Sequence, residues 1–145
     1  MSFLESRIRM TDQEMILLLT LLDGAFFVVI ALLLGSFINL AVDRVPRGES
    51  IVRPRSHCRA CGRVLNVVDL LPVAGYLIRG GRCATCKVPI GATAPLVEAA
   101  TGGCMLASIV WLGVWPGAAL GLALVAVFGV FLVSLAKARG AAKAS

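Results

Sequence analysis

From Met15 to Val42 the chain is apolar at almost every position, interrupted by Asp23 and Asn39. About 20 such residues cross roughly 30 Å of hydrocarbon, so the pattern predicts a first transmembrane helix over 15–42. A second apolar run, 95–115, contains Glu98 and Cys104, and a third covers 118–136. Trp115-Pro116-Gly117 separates these two and reads as the break between them, since Pro and Gly together mark a turn. Between Asp43 and Ala94 the pattern gives way to basic residues, four of the six prolines and four cysteines. That stretch predicts an extramembrane loop. Residues 1–14 form a polar N-terminal tail and 137–145 a short basic one. A cleaved signal peptide does not fit: the first apolar run is too long, its leader is not clearly basic, and no small-x-small site precedes a soluble domain.

Composition supports the same class. The 145 residues are 59% hydrophobic and 15% charged, and the mean hydropathy is +0.91, far on the apolar side of a soluble domain. The fold class expected is therefore an all-α membrane protein of three transmembrane helices. Gly113, Gly117 and Gly121 recur at four-residue spacing, which suits close helix packing in lipid.

The net charge of +6 raises nucleic-acid binding, but its distribution points elsewhere. Nine of the fourteen basic residues lie between Arg44 and Lys87, and three more in the C-terminal tail. Lys and Arg resist translocation, so such clusters mark the cytoplasmic side. The expected topology has the N-terminus outside, with the loop and the C-terminus cytoplasmic, and no nucleic-acid partner.

Within the loop, Cys58-Arg59-Ala60-Cys61 and Cys83-Ala84-Thr85-Cys86 are separated by twenty-one residues. Two such pairs can supply the four thiolates of a tetrahedral zinc site, giving a zinc-ribbon-like loop with Cys58, Cys61, Cys83 and Cys86 as metal ligands. Four sulfurs also suit iron. Disulfides are the competing reading, disfavoured by a cytoplasmic placement, and a redox pair lacks its βαβ setting. A closed four-cysteine site has no position for water or substrate, so its role is to fold the loop. His57 reads as a loop residue or spare ligand, and Cys104 as a small apolar core residue.

Several segments together resemble one family. "GSFINLAVDRVPRGESIVRPRSHCRACG" at Gly35–Gly62, "DLLPVAGYL" at Asp69–Leu77, "RGGRCATCKVPI" at Arg79–Ile90 and "PLVEAATG" at Pro95–Gly102 resemble the N-terminal domain of prepilin peptidases. These are the leader peptidase and N-methyltransferase enzymes of type IV pilus and type II secretion systems. The resemblance implies a bacterial inner-membrane protein, a structural zinc in the cytoplasmic loop, and a prepilin or pseudopilin as partner. It also implies a C-terminal domain with two catalytic aspartates, one in a Gly-x-Gly-Asp motif. The only aspartates here are Asp12, Asp23, Asp43 and Asp69, so no autonomous peptidase activity is expected.

What the resemblance leaves is a split partner of a separate aspartyl peptidase subunit, or an N-methyltransferase component using S-adenosylmethionine. The glycine pair Gly80-Gly81 is not a Gly-x-Gly-x-x-Gly cradle and gives that cofactor no independent support. Glu98 is the candidate catalytic residue, because an ionisable group at membrane depth is by default a functional one, and it could meet the cationic amine of a processed pilin. Its bland reading is an interfacial carboxylate paired with a loop arginine. Where the family carries Arg-Tyr before Pro95, this chain has Thr93-Ala94, removing two groups that would neighbour Glu98. A non-catalytic zinc-loop membrane module that binds a pilus or secretion component is the rival reading.

Overall fold

The three apolar runs form three long helices, and the loop between the first two closes over one end of the bundle they make. The computed structural model describes residues 11–144; the first ten residues of the expected N-terminal tail lie outside the described residues. Helix α1 spans Asp12–Arg44. It starts before the expected Met15 because Thr11 and Glu14 make a capping box. Glu14 N donates to Thr11 Oγ1 at 3.3 Å and Thr11 N to Glu14 Oε2 at 2.9 Å, satisfying two amides that an open helix end leaves bare.

A 3₁₀ turn, Val45–Arg47, leads into the loop, which holds a second 3₁₀ turn at Val68–Leu70 and the short helix α2, Ala74–Ile78. Among the described residues the loop contains no strand, only two isolated antiparallel bridges. Helices α3, Thr93–Leu112, and α4, Val114–Ala144, complete the bundle, and each of the three long helices packs on the other two. All three are long and apolar enough to cross a membrane.

Two boundaries differ from the sequence expectation. The break between α3 and α4 falls at Gly113, with φ 83°, and Trp115-Pro116-Gly117 forms the first turn of α4. A proline is tolerated there because amides of the first turn have no intrahelical acceptor. At the other end, α4 continues through the expected basic tail to Ala144, in keeping with the helix propensity of its alanines.

The core is small and central: Ala31 and Ile38 of α1, Met105 of α3, and Ala118 and Val125 of α4. Large apolar side chains point outward along all three helices, among them Phe26, Val110 and Phe131, as expected where the solvent is lipid. Close approach replaces the hydrophobic drive. A Cβ on Gly117 would lie 2.6 Å from Ile109 Cα, and one on Gly121 would lie 2.7 Å from Met105 Sδ, so two of the spaced glycines hold α4 against α3 while Gly113 makes the turn. Phe27 meets Trp115 edge to face at 5.8 Å at the turn end of the bundle. Gly140 approaches Pro46 at the loop end. Helix α4 therefore runs parallel to α1, and α3 antiparallel to both.

Candidate functional site

The two cysteine pairs fold into matching turns. In the first, Cys58 N donates to Arg63 O and Gly62 N to Cys58 O, each at 2.8 Å; in the second, Cys83 N donates to Val88 O at 2.9 Å and Lys87 N to Cys83 O at 3.1 Å. The bridges His57–Val64 and Arg82–Pro89 close them in the same way. Equivalent positions Gly62 and Lys87 have φ of 71° and 58°, a left-handed conformation that glycine adopts freely and lysine does not.

These turns bring the four sulfurs together. All lie within 4.8 Å of one another, with Cys58 Sγ 3.8 Å from Cys86 Sγ and Cys61 Sγ 4.0 Å from Cys83 Sγ. Zinc–sulfur bonds of about 2.3 Å set tetrahedral edges of about 3.8 Å, so the donor set fits a tetrahedral ion. The Cys86 and Thr85 amides pull the Cys83 thiol down to about 6, and the Cys61 and Ala60 amides lower Cys58. The Val88 amide acts the same way on Cys86, but burial and the three neighbouring sulfurs outweigh it and push that thiol up to about 11. Thiolates this close need a cation among them to be charged together. His57 stands outside the cluster, its Nδ1 3.0 Å from Arg55 O, and Cys104 lies in α3.

Asp69 ties the turns together. Its carboxylate receives the guanidinium of Arg63, two residues after Cys61, and Nε of Arg79 at 2.6 Å, four residues before Cys83. It also accepts the Asn66 amide at 3.0 Å, while Asp69 N donates to Asn66 Oδ1 at 3.0 Å. The carboxylate is only 4% exposed. Burial works against its charge, but the Asn66 amide and the two guanidiniums outweigh it and hold the carboxyl below its ordinary value of 3.8. Gly75 of α2 packs on the turn that carries it: a Cβ there would sit 2.6 Å from Val68 O.

Just after Asp69 the chain makes a turn that contacts Glu98. Val73 has φ 56° and ψ −51°, and Ala74 N donates back to Pro72 O, so Pro72-Val73-Ala74 is a γ-turn of the rare, strained hand. A β-branched residue in such a region costs on the order of 1–3 kcal/mol. The turn aims the Val73 amide into the bundle, where it donates to Glu98 Oε2 at 2.7 Å. Glu98 is buried, at 6% exposure, in the second turn of α3. It sits where α1 comes closest, since a Cβ on Gly35 would lie 2.9 Å from Glu98 Cα. Thr101 Oγ1 donates to Glu98 O at 2.9 Å. The carboxylate's partner is thus a loop amide, and among the described residues it has no arginine, contrary to the bland expectation.

The structure therefore gathers the four cysteines at one point and places Glu98 under the Pro72–Val73 turn between them in sequence. The arginines that clamp Asp69 and the amide that meets Glu98 were not singled out by sequence reasoning. The signal the sequence carries is that Arg63 and Arg79 flank the lone acid inside the Cys61–Cys83 interval.

Comparison with known proteins gives the relationships of the chain. Residues 29–112 match the model of the bacterial Peptidase A24 N-terminal domain. A prepilin leader peptidase/N-methyltransferase of Myxococcus xanthus is 46% identical over 81 residues, covering 56% of this chain and 24% of the relative. The similarly named protein of Burkholderia pseudomallei is 33% identical over 137 residues, covering 77% of this chain and 42% of its own. That of Bacillus subtilis is 36% identical over 80 residues, covering 55% and 32%. The chain thus spans less than half the length of these relatives. No solved structure matches it. Because the match takes in the end of α1, the whole cysteine loop with Asp69 and Val73, and α3 with Glu98, the chain belongs to the bacterial Peptidase A24 N-terminal domain family.

Proposed function

We propose that this protein is an inner-membrane component of prepilin or pseudopilin maturation, with its N-terminus outside and its cysteine loop and C-terminus cytoplasmic. It acts as the partner of a separate aspartyl peptidase subunit or as the N-methyltransferase component, and it does not cleave prepilins alone. The observation that carries this reading is the buried Glu98 carboxylate beneath the cysteine-held Pro72–Val73 turn, in a chain of this family. With Oε2 held by Val73, Oε1 is the oxygen left to receive the cationic amine of a processed pilin.

The cysteines Cys58, Cys61, Cys83 and Cys86 would hold one zinc ion, which supplies no chemistry beyond fixing the loop, since four thiolates fill its coordination sphere. The methyl donor finds no comparable fit. Gly80 and Gly81 both have positive φ, but Tyr76 covers Gly81, its hydroxyl 2.8 Å from where a Cβ would stand, and the pair forms no cradle.

The test is to incubate the purified protein, alone and with an aspartyl peptidase subunit, with a prepilin and labelled S-adenosylmethionine. Leader removal or label transfer only when both proteins are present supports the split partner, and label transfer to a processed pilin by the chain alone supports the methyltransferase. Neither, with zinc bound and the protein folded, favours the rival reading, a non-catalytic module. The specific observation behind that rival is that Glu98 already serves the loop as an acceptor.

A further inference from the structure

At the loop end of the bundle a groove of about 640 Å³ opens between the ends of α1 and α4, the Arg59 turn and the start of α3. Its lower wall is apolar, formed by Val42 of α1 and by Leu132 and Leu135 of α4; its rim carries Arg47, Arg59 and Arg139. Asp43 is the one acid in the lining and is already shared, with Arg47 at 2.7 Å and Arg59 at 2.5 Å. Arg139 has no ion-pair partner among the described residues. Nor does the Asn39 carboxamide or the Thr93 hydroxyl, both in the lining, have a side-chain hydrogen-bond partner there.

Arg47 and Arg59 are matched by Asp43 and by Glu49 beside it, which lies 2.9 Å from Arg47 and 4.0 Å from Arg59, so the cation left over is Arg139, with the amide and the hydroxyl as further donors. Such a site takes an anion that offers acceptor oxygens, and the apolar wall continuous with the helix sides takes a hydrocarbon chain. The polarity changes at the height where both α1 and α4 pass from apolar to basic sequence. Basic pockets between transmembrane helices at this level hold lipid head groups. We propose that this groove binds an anionic phospholipid, its phosphodiester on Arg139 with Asn39 and Thr93, and an acyl chain along Val42, Leu132 and Leu135. A zwitterionic lipid would set its own ammonium among the guanidiniums, and S-adenosylmethionine would bring a sulfonium cation to the same place, so both are disfavoured by charge. The inference does not depend on the function proposed above.

The protein exchanged into mixed micelles of equal dioleoylphosphatidylglycerol and dioleoylphosphatidylcholine, then read by native mass spectrometry, tests the site. Retention of phosphatidylglycerol over phosphatidylcholine is expected, falling about fivefold in Arg139→Gln and also in Asn39→Leu. Lys137→Gln, a neighbour outside the lining, should leave it unchanged. Equal retention of the two lipids overturns the proposal, as does an equal loss in Lys137→Gln, which would mean general charge. Displacement of phosphatidylglycerol by micromolar S-adenosylmethionine would give the groove to that ligand instead. Melting temperature and zinc content of each variant identify any that is misfolded, in which case the other of the two groove variants decides.

Discussion

The Val73 amide donates to Glu98 Oε2 at 2.7 Å, from a backbone turned to φ 56°. A strained loop residue and a buried carboxylate twenty-five positions apart are therefore each other's main polar partner. The strain persists because the contact, the Asp69 clamp and Gly75 together over-determine the turn.

Breaking that contact should free the turn without unfolding the bundle. Glu98→Ala leaves the Val73 amide buried and unpaired, at a cost of about 1–3 kcal/mol, whereas Glu98→Gln keeps an acceptor in place. Hydrogen exchange should accelerate at the amides of Val73–Ile78 in Glu98→Ala and stay near wild type in Glu98→Gln. Identical protection in all three proteins would show that the contact holds nothing.

Metal content follows from the sulfur geometry. Protein prepared without chelators should carry about one zinc per chain, and Cys58→Ser with Cys83→Ser should carry none. Loss of the ion should raise tryptic cutting at Arg59, Arg63, Arg79 and Arg82 by an order of magnitude, because loop folding and metal binding are one equilibrium. A metal-free protein with a protease-resistant loop would contradict the assignment.

Acid should weaken the loop through Asp69. Its carboxyl titrates lower folded than unfolded, so its stabilisation is complete above the ordinary value of 3.8 and is lost as pH falls through the folded value. The loop's thermal midpoint, followed from pH 7 to 3, should drop below pH 4 in the wild type. Asp69→Asn should start lower at pH 7 and lose less on acidification; parallel curves would remove Asp69 from the account.

The two left-handed positions should respond in opposite directions. Gly62→Ala forces a Cβ into φ 71° and should cost about 1 kcal/mol. Lys87→Gly relieves the same conformation, offset by about 0.5–1 kcal/mol of added freedom in the unfolded chain, and should leave the melting temperature unchanged or slightly higher. A fall in both variants would show that the Lys87 side chain contributes more than its backbone costs.

How far the sequence could be read depended on whether a feature is local. Apolar runs located all three helices, and cysteine spacing located the cluster, because period and spacing are carried by neighbouring residues. The helix ends were less accessible. Thr11 with Glu14 announced the true start of α1, but the stronger hydrophobic signal drew attention to Met15, and Pro116 drew it away from Gly113. Asp69 was visible through family resemblance, while its clamping by Arg63 and Arg79 depends on how the loop folds back. The conformation of Val73 could not be anticipated, since valine is among the last residues expected at positive φ.

Synthesis of the chain puts these parts in a definite order. All four sulfur donors have been made by Cys86, but the carboxylate that accepts the Val73 amide comes twelve residues later, inside the next membrane helix. The four thiols can therefore gather while α3 is still being built, whereas the loop can seat itself only once α3 has entered the bilayer beside α1. Seating of the Pro72–Val73 turn thus reports that the second helix has been inserted in the correct place.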